Sequence, residues 1–335
     1  MDTPSSDFLP EDPNAMILCS SADGAILQSF PRGALITRWQ PAGHPHPLLW
    51  CYRPDDPAGA SPGEDDSAHP SGRVSDSPTS SPAICALNPA VAPAPPPAND
   101  ACYPERGGIP ICFPWIGAGR GNHYSPHHGL VRNAPWRLGT EPDSEGMHIG
   151  YRITADDVVG SEESGQWSAQ LHAQCTSDTL SLAFTVHNIG SQPMSYEATL
   201  HTYLAVSDVR HITLHGCDNT DYLDATTTPY TPRTHHGPLH ITDHTDSVFH
   251  SSDPIDLIDP QWERRLHITK EGSADTIVWN PGPELGAQTR GVGPQQWRHF
   301  ICVEAANFRE NAIWLAPDES HTLRQHIQLI SLAES

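Results

Sequence analysis

Short alternations of apolar and polar residues run through most of the chain, and they predict strands. Leu180, Leu182, Phe184 and Val186 alternate with Ser181, Ala183, Thr185 and His187, the period-two pattern of a strand with one apolar face. The stretch 195–204 alternates too. Tyr196, Ala198 and Leu200 take its core side, while Glu197, Thr199, His201 and Tyr203 take the other. Runs at 209–214, 265–269, 276–279, 299–304, 312–315 and 322–330 read as further strands, with no fixed-period repeat among them. Upstream, apolar runs at 25–27, 34–36 and 48–50 are punctuated by Gly24, Gly33 and Pro41, as in a β-meander. Many short strands with scarce helical patterning predict an all-β, antiparallel sandwich carrying a cleft on a broad polar face.

Composition changes this picture after Tyr52. Residues 53–101 are rich in Pro, Ala, Ser, Asp and Gly, ending near Ala92-Pro93-Ala94-Pro95-Pro96-Pro97. Such a segment lacks the apolar residues to offset the entropy of ordering, so it reads as a flexible insertion. Ile84 and Leu87 allow the alternative that part of it packs as extended chain over the core. The expected organisation is a loose tail over 1–14 and one domain over 15–335, interrupted by 53–101.

The chain has 40 acidic and 18 basic residues, a net charge of −22. That field disfavours nucleic acid and anionic membranes as partners. It also repels phosphorylated substrates, so any phosphate site must be built locally from a few arginines. No apolar run approaches the roughly 20 residues of a membrane span, and the N-terminus lacks a signal-peptide pattern. A cytoplasmic, monomeric protein is expected. Eight scattered cysteines without a Cys-x-x-Cys pair argue for free thiols rather than a zinc ribbon.

Candidate chemistry falls in three places. Glu304 ends the hydrophobic run 299–304, where desolvation raises a carboxyl pKa and suits it to act as a base. The plainer alternative is a strand-end glutamate turned to solvent. His201 lies mid-strand, as a proton donor or as a hydrogen-bonded sheet residue. The segment 106–132 combines Arg106-Gly107-Gly108-Ile109-Pro110, Phe113-Pro114-Trp115 and His127-His128-Gly129-Leu130-Val131-Arg132. Arginines beside tight glycine turns bring guanidinium forks and backbone near an anion. Gly117, Gly119 and Gly121 lack the Lys-Ser/Thr of a phosphate loop. Two histidine groups, His123/His127/His128 and His235/His236/His240/His244, lack standard zinc spacing, so no metal is expected.

In order along the chain stand Arg-Gly-Gly-Ile-Pro, Phe-Pro-Trp, His-Gly-Leu-Val-Arg-Asn, His-Thr-Tyr-Leu, Trp279-Asn280-Pro281 and Cys302-Val303-Glu304. Together they resemble the glucose-6-phosphate 1-epimerase branch of the aldose 1-epimerase, galactose mutarotase-like superfamily, over about 17–52 and 102–332. The resemblance implies a β-supersandwich with one open cleft, His201 as acid and Glu304 as base. It implies that Arg106, His128 and Arg132 contact sugar or phosphate, and that Asp246 binds ring hydroxyls. The implied reaction interconverts the anomers of a hexose 6-phosphate by opening and reclosing the ring, without a cofactor. An aldose 1-epimerase for neutral sugars and a non-catalytic carbohydrate-binding module are the alternatives. His127 replaces a common Gln, Ser247 and Phe249 replace Arg and Tyr, and Leu130 and Leu204 replace Phe. These departures bear on specificity before they bear on the acid and the base.

Overall fold

The computed structural model describes residues 12–21, 24–52, 83–84, 103–139, 147–161 and 164–332. Most of the expected tail and insertion therefore lies outside the described residues. Within the insertion, Ala83–Ile84 forms a short strand parallel to Ile17–Leu18. The expected meander is present as Ile17–Ser20, Ile26–Phe30 and Leu35–Gln40, paired antiparallel in sequence order.

Two eight-stranded antiparallel sheets form the body of the molecule. One runs Thr213–His215, Ile255–Asp259, Arg264–Glu271, Ser320–Ser331, Thr179–Asn188, Trp167–Cys175, Met147–Thr154, Arg137–Gly139. The other runs Thr231–Thr234, Asp221–Asp224, Thr245–Phe249, Asp275–Asn280, Phe300–Asn307, Ala198–Leu200, Ile111–Cys112, with Tyr203–Ala205 also on Phe300–Asn307. Their apolar faces share one core: Leu180, Leu182, Phe184 and Val186 join Leu200, Val303 and Ala305. A buried amide crosses that core. Gln325 donates to the Val303 carbonyl at 2.9 Å and accepts from the Thr202 hydroxyl.

Three expectations change. The run 195–204 is three strands, Met194–Tyr196, Ala198–Leu200 and Tyr203–Ala205. Its breaks occur where Glu197 turns its carboxylate onto the Ile116 and Arg309 N–H groups, and where the His201 N–H donates to Pro110. The run 209–214 keeps only Thr213–His215 as strand. Upstream, Asp208 accepts from the Arg210 N–H, a local turn that competes with the ladder. The run 48–50 contributes only an isolated bridge, Leu49 to Leu204.

Candidate active site

Strand parity begins the site. On Phe300–Asn307, Val303 and Ala305 enter the core, so Cys302 and Glu304 point to the other face. The adjoining chain reaches the same face in two pieces. Ala198–Leu200 pairs with 305–307, then Tyr203–Ala205 pairs with 300–302. Between them His201 and Thr202 leave the regular ladder, and Val303 donates its N–H to Thr202. The gap lies beside Glu304.

His201 Nδ1 stands 3.2 Å from Glu304 Oε1, but the angle does not make a hydrogen bond, and among the described residues Nδ1 has no other partner. Both residues are nearly sealed, at 5 % and 2 % exposure. Burial pushes the Glu304 carboxyl up to about 8, opposed by a hydrogen bond from Thr199 and reinforced by Asp246. Burial, then the charges of Arg132 and Arg106, hold His201 well below the usual imidazole value. The pair thus favours neutral imidazole beside protonated carboxyl. That carries the same number of protons as imidazolium beside carboxylate.

The His201 ring stacks on Tyr203 with centroids 4.8 Å apart and meets His128 and Trp279 edge-on. Around this floor Arg106, His128, Arg132, Asp246 and Trp279 are half-buried. They form a rim through which a ligand can be contacted. Arg106 donates from Nη1 to the Tyr203 hydroxyl at 3.2 Å and from Nε to the Arg290 carbonyl at 2.9 Å. Arg132 lies near enough to the same phenol for its charge to act on it. Among the described residues, no carboxylate pairs with either guanidinium. Two cations sharing one neutral phenol form a site suited to an anion.

His128 adopts φ of 68°, a left-handed conformation uncommon for a residue with a side chain. Its Nδ1 accepts the Gly117 N–H at 3.1 Å and its own N–H donates to the Gly117 carbonyl. Burial and nearby Arg132 keep the ring neutral. With Nδ1 committed as acceptor, the proton is on Nε2, which is left as a donor. Gly129 is required beside it, because a Cβ there would lie 2.1 Å from the Phe113 carbonyl oxygen.

Asp246 lies across the sheet, in register with Trp279, which in turn faces Cys302. Burial and the charge of Asp224 raise its carboxyl to about 7. Ser247 and Phe249 alternate to the opposite face of that strand, and Leu204 belongs to the core. Their departures from the family pattern thus alter packing rather than the rim. His127 is exposed beside His128.

His201, Cys302 and Glu304 bring one ligand atom each within 4.8 Å of one another, a spacing open to a metal. Burial holds the Cys302 thiol well above its usual value, which keeps it a protonated, poor ligand. The group reads better as a proton-handling cluster. Among the described residues the other histidines form no such group: His235 packs on Phe249, His236 bonds Asn219 and His123 packs at a tilt on Tyr124.

The structure brings His201, Glu304, Arg106, His128, Arg132 and Asp246 around one floor. Sequence reasoning missed Thr199, Tyr203, Trp279 and Gln325. Thr199 and Tyr203 were visible as face-mates of His201, whereas Gln325 acts across the sandwich and leaves no local signal.

The aldose 1-epimerase family model matches residues 96–328. A protein from Cenchrus ciliaris, provisionally named glucose-6-phosphate 1-epimerase, is 29% identical over 224 residues, 64% of this chain and 67% of its own. An Escherichia coli K12 protein with the same provisional name is 25% identical over 205 residues, 60% and 67% of the two chains. The chain thus aligns with about two thirds of each relative's length. The crystal structure of a provisionally named mutarotase from Salmonella typhimurium superposes with a TM-score of 0.68 at 19% identity, over 92% of this chain and 88% of that one. Among the described residues no helix is long and apolar enough to cross a membrane.

Proposed function

The chain belongs to the aldose 1-epimerase family, and on that premise we propose that it interconverts the α and β anomers of a hexose 6-phosphate. The observation that carries this reading is the sealed His201–Glu304 pair, 3.2 Å apart, beside two arginines that have no carboxylate partner among the described residues. Anomer exchange moves protons at two oxygens bonded to the same carbon, the C1 hydroxyl and the ring oxygen. An acid and a base serving both must therefore be neighbours.

In this reading Glu304 takes the C1 hydroxyl proton while His201 protonates the ring oxygen. The C1–O bond to the ring breaks as the carbonyl forms, the C1–C2 bond rotates, and closure on the other face returns both protons. General acid–base catalysis of this kind contributes about 10²–10⁴-fold. His128 donates from Nε2 to a sugar oxygen, and Asp246 meets ring hydroxyls.

The phosphate does more than anchor. Burial first, and then the charges of Arg132 and Arg106, hold His201 neutral. A phosphate resting on them offsets that field and favours imidazolium beside carboxylate, the charge state the reaction uses. The names of the relatives from Cenchrus ciliaris and Escherichia coli support a phosphorylated substrate, as does the arginine pair.

NMR exchange spectroscopy of glucose 6-phosphate, with and without protein, tests the reading. We expect acceleration that is lost in both His201→Asn and Glu304→Gln while the fold persists. Unchanged exchange rates in both variants would overturn it.

A further inference from the structure

We propose that Thr199 is a positioning residue for Glu304, anchoring its Oε2 in both protonation states and easing loss of its proton, so that Oε1 stays aimed at the substrate. The proposal rests on the ring-opening reading above for its catalytic consequence, but its hydrogen-bond content is independent of that reading.

Thr199 is fully buried. Its register places it opposite Ala306 on one side and Cys112 on the other, on the face that carries Glu304. One hydroxyl oxygen has two acceptors in reach: Glu304 Oε2 at 2.9 Å and the Ala305 carbonyl at 3.0 Å. A hydroxyl has one hydrogen to give and lone pairs to accept with. When Glu304 is ionised, the hydrogen points to Oε2. When the carboxyl carries its proton on Oε2, that proton is donated to Thr199, whose own hydrogen turns to Ala305. Both arrangements leave the hydroxyl and Oε2 satisfied, which matters where an unpaired buried polar group is costly. Gain or loss of one proton at Glu304, with rotation of the Thr199 hydroxyl, connects them.

Only the ionised arrangement gains a charge-assisted hydrogen bond, the stronger kind. Thr199 therefore works against the burial that protonates Glu304. The other ionisable groups around the carboxyl are Cys302 on its own strand and, from other elements, His201 after Ala198–Leu200, Asp246 on Thr245–Phe249, Arg132 on the 106–132 segment, and Cys112. Substituting Thr199 leaves all of them in place.

The test uses the full chain with Thr199→Val, of similar shape, and Thr199→Ser, which restores the hydroxyl. Glu304 is followed by 13C NMR of its carboxyl, and exchange is measured from pH 5 to 9. In Thr199→Val the Glu304 midpoint is expected to rise by about one pH unit. Exchange at pH 7 then falls roughly ten-fold, recovers towards wild type at high pH, and keeps its KM; Thr199→Ser returns both curves. An unmoved midpoint, or a loss equal at every pH, overturns the proposal. If Thr199→Val fails to fold, Thr199→Ala, which adds no bulk, takes its place with the same criteria. If the wild-type chain exchanges no anomers while Thr199→Val still shifts the Glu304 midpoint, the reaction reading is overturned and the hydrogen bond upheld.

Discussion

Two histidine–carboxylate pairs stand on one sheet, and they differ in what else the carboxylate holds. Asp275 and Glu304 occupy adjacent strands, Asp275 facing Ala306 and Ile277 facing Glu304. Asp275 is wholly buried and accepts from His250 at 2.9 Å, Asn311 at 2.8 Å and the Phe308 N–H at 2.9 Å. Its ionised form has partners on both oxygens. Among the described residues Glu304 has one hydrogen bond, from Thr199, and its second oxygen faces an imidazole nitrogen without a hydrogen-bond partner. Glu197 sides with Asp275, since backbone N–H groups occupy both of its oxygens. A buried carboxylate whose lone pairs are spent fastens chain segments together. One left with an open oxygen beside a titratable partner is available for chemistry.

The contrast breaks most visibly in paired substitutions. Glu304→Gln is expected to cut anomer exchange of glucose 6-phosphate by about 10²–10⁴-fold with little loss of melting temperature. Asp275→Asn should do the reverse, keeping exchange per folded molecule while costing about 1–3 kcal/mol in urea titrations. If both variants lose activity in proportion to stability, the distinction between the pairs fails.

Arg132→Ala gives the next effect. Losing charge-assisted bonds to an anion is worth about 1.5–3 kcal/mol, so kcat/KM for the phosphorylated sugar should fall roughly 10–150-fold. Neutral glucose should lose much less. Equal losses on both substrates would show that the arginine is no phosphate clamp. A smaller effect follows from phosphite added in trans with neutral glucose as substrate. Exchange should rise severalfold, because an anion on the arginines favours the imidazolium; a flat response would remove that role.

The smallest expected effect is on stability against pH. Glu304 is raised to about 8 in the fold, so the folded chain holds a proton that the unfolded chain has released above about pH 4.3. Its contribution is present at low pH and fades as pH climbs through that range towards 8. His201, lowered in the fold, acts in the opposite sense and costs stability as pH falls below about 6.5. Thermal melts of Glu304→Gln between pH 5 and 8 should therefore decline less steeply than wild type. Parallel slopes would contradict the raised carboxyl.

Much of the fold was legible because strand parity is a local property. The alternation 180–187 became Thr179–Asn188, and the run 322–330 became Ser320–Ser331. Parity also put Thr199, His201 and Tyr203 together on one side, although neighbours could not tell whether that side was wet. The 106–132 segment meets it there, with His128 edge-on to His201, a contact between residues far apart in the chain. The breaks within 195–204 escaped for the same reason: they depend on Ile116, Arg309 and Pro110 as partners. His201 and Glu304 were paired through ordered motifs, since no local pattern sets a 3.2 Å separation.

That separation is governed partly from the opposite sheet. Through Thr202 and Val303, the Gln325 amide grips the chain beside His201 and beside Glu304 at once. The spacing of the two side chains is thus a property of the whole sandwich. Because both layers hold that spacing, warming should preserve it until the two layers part together.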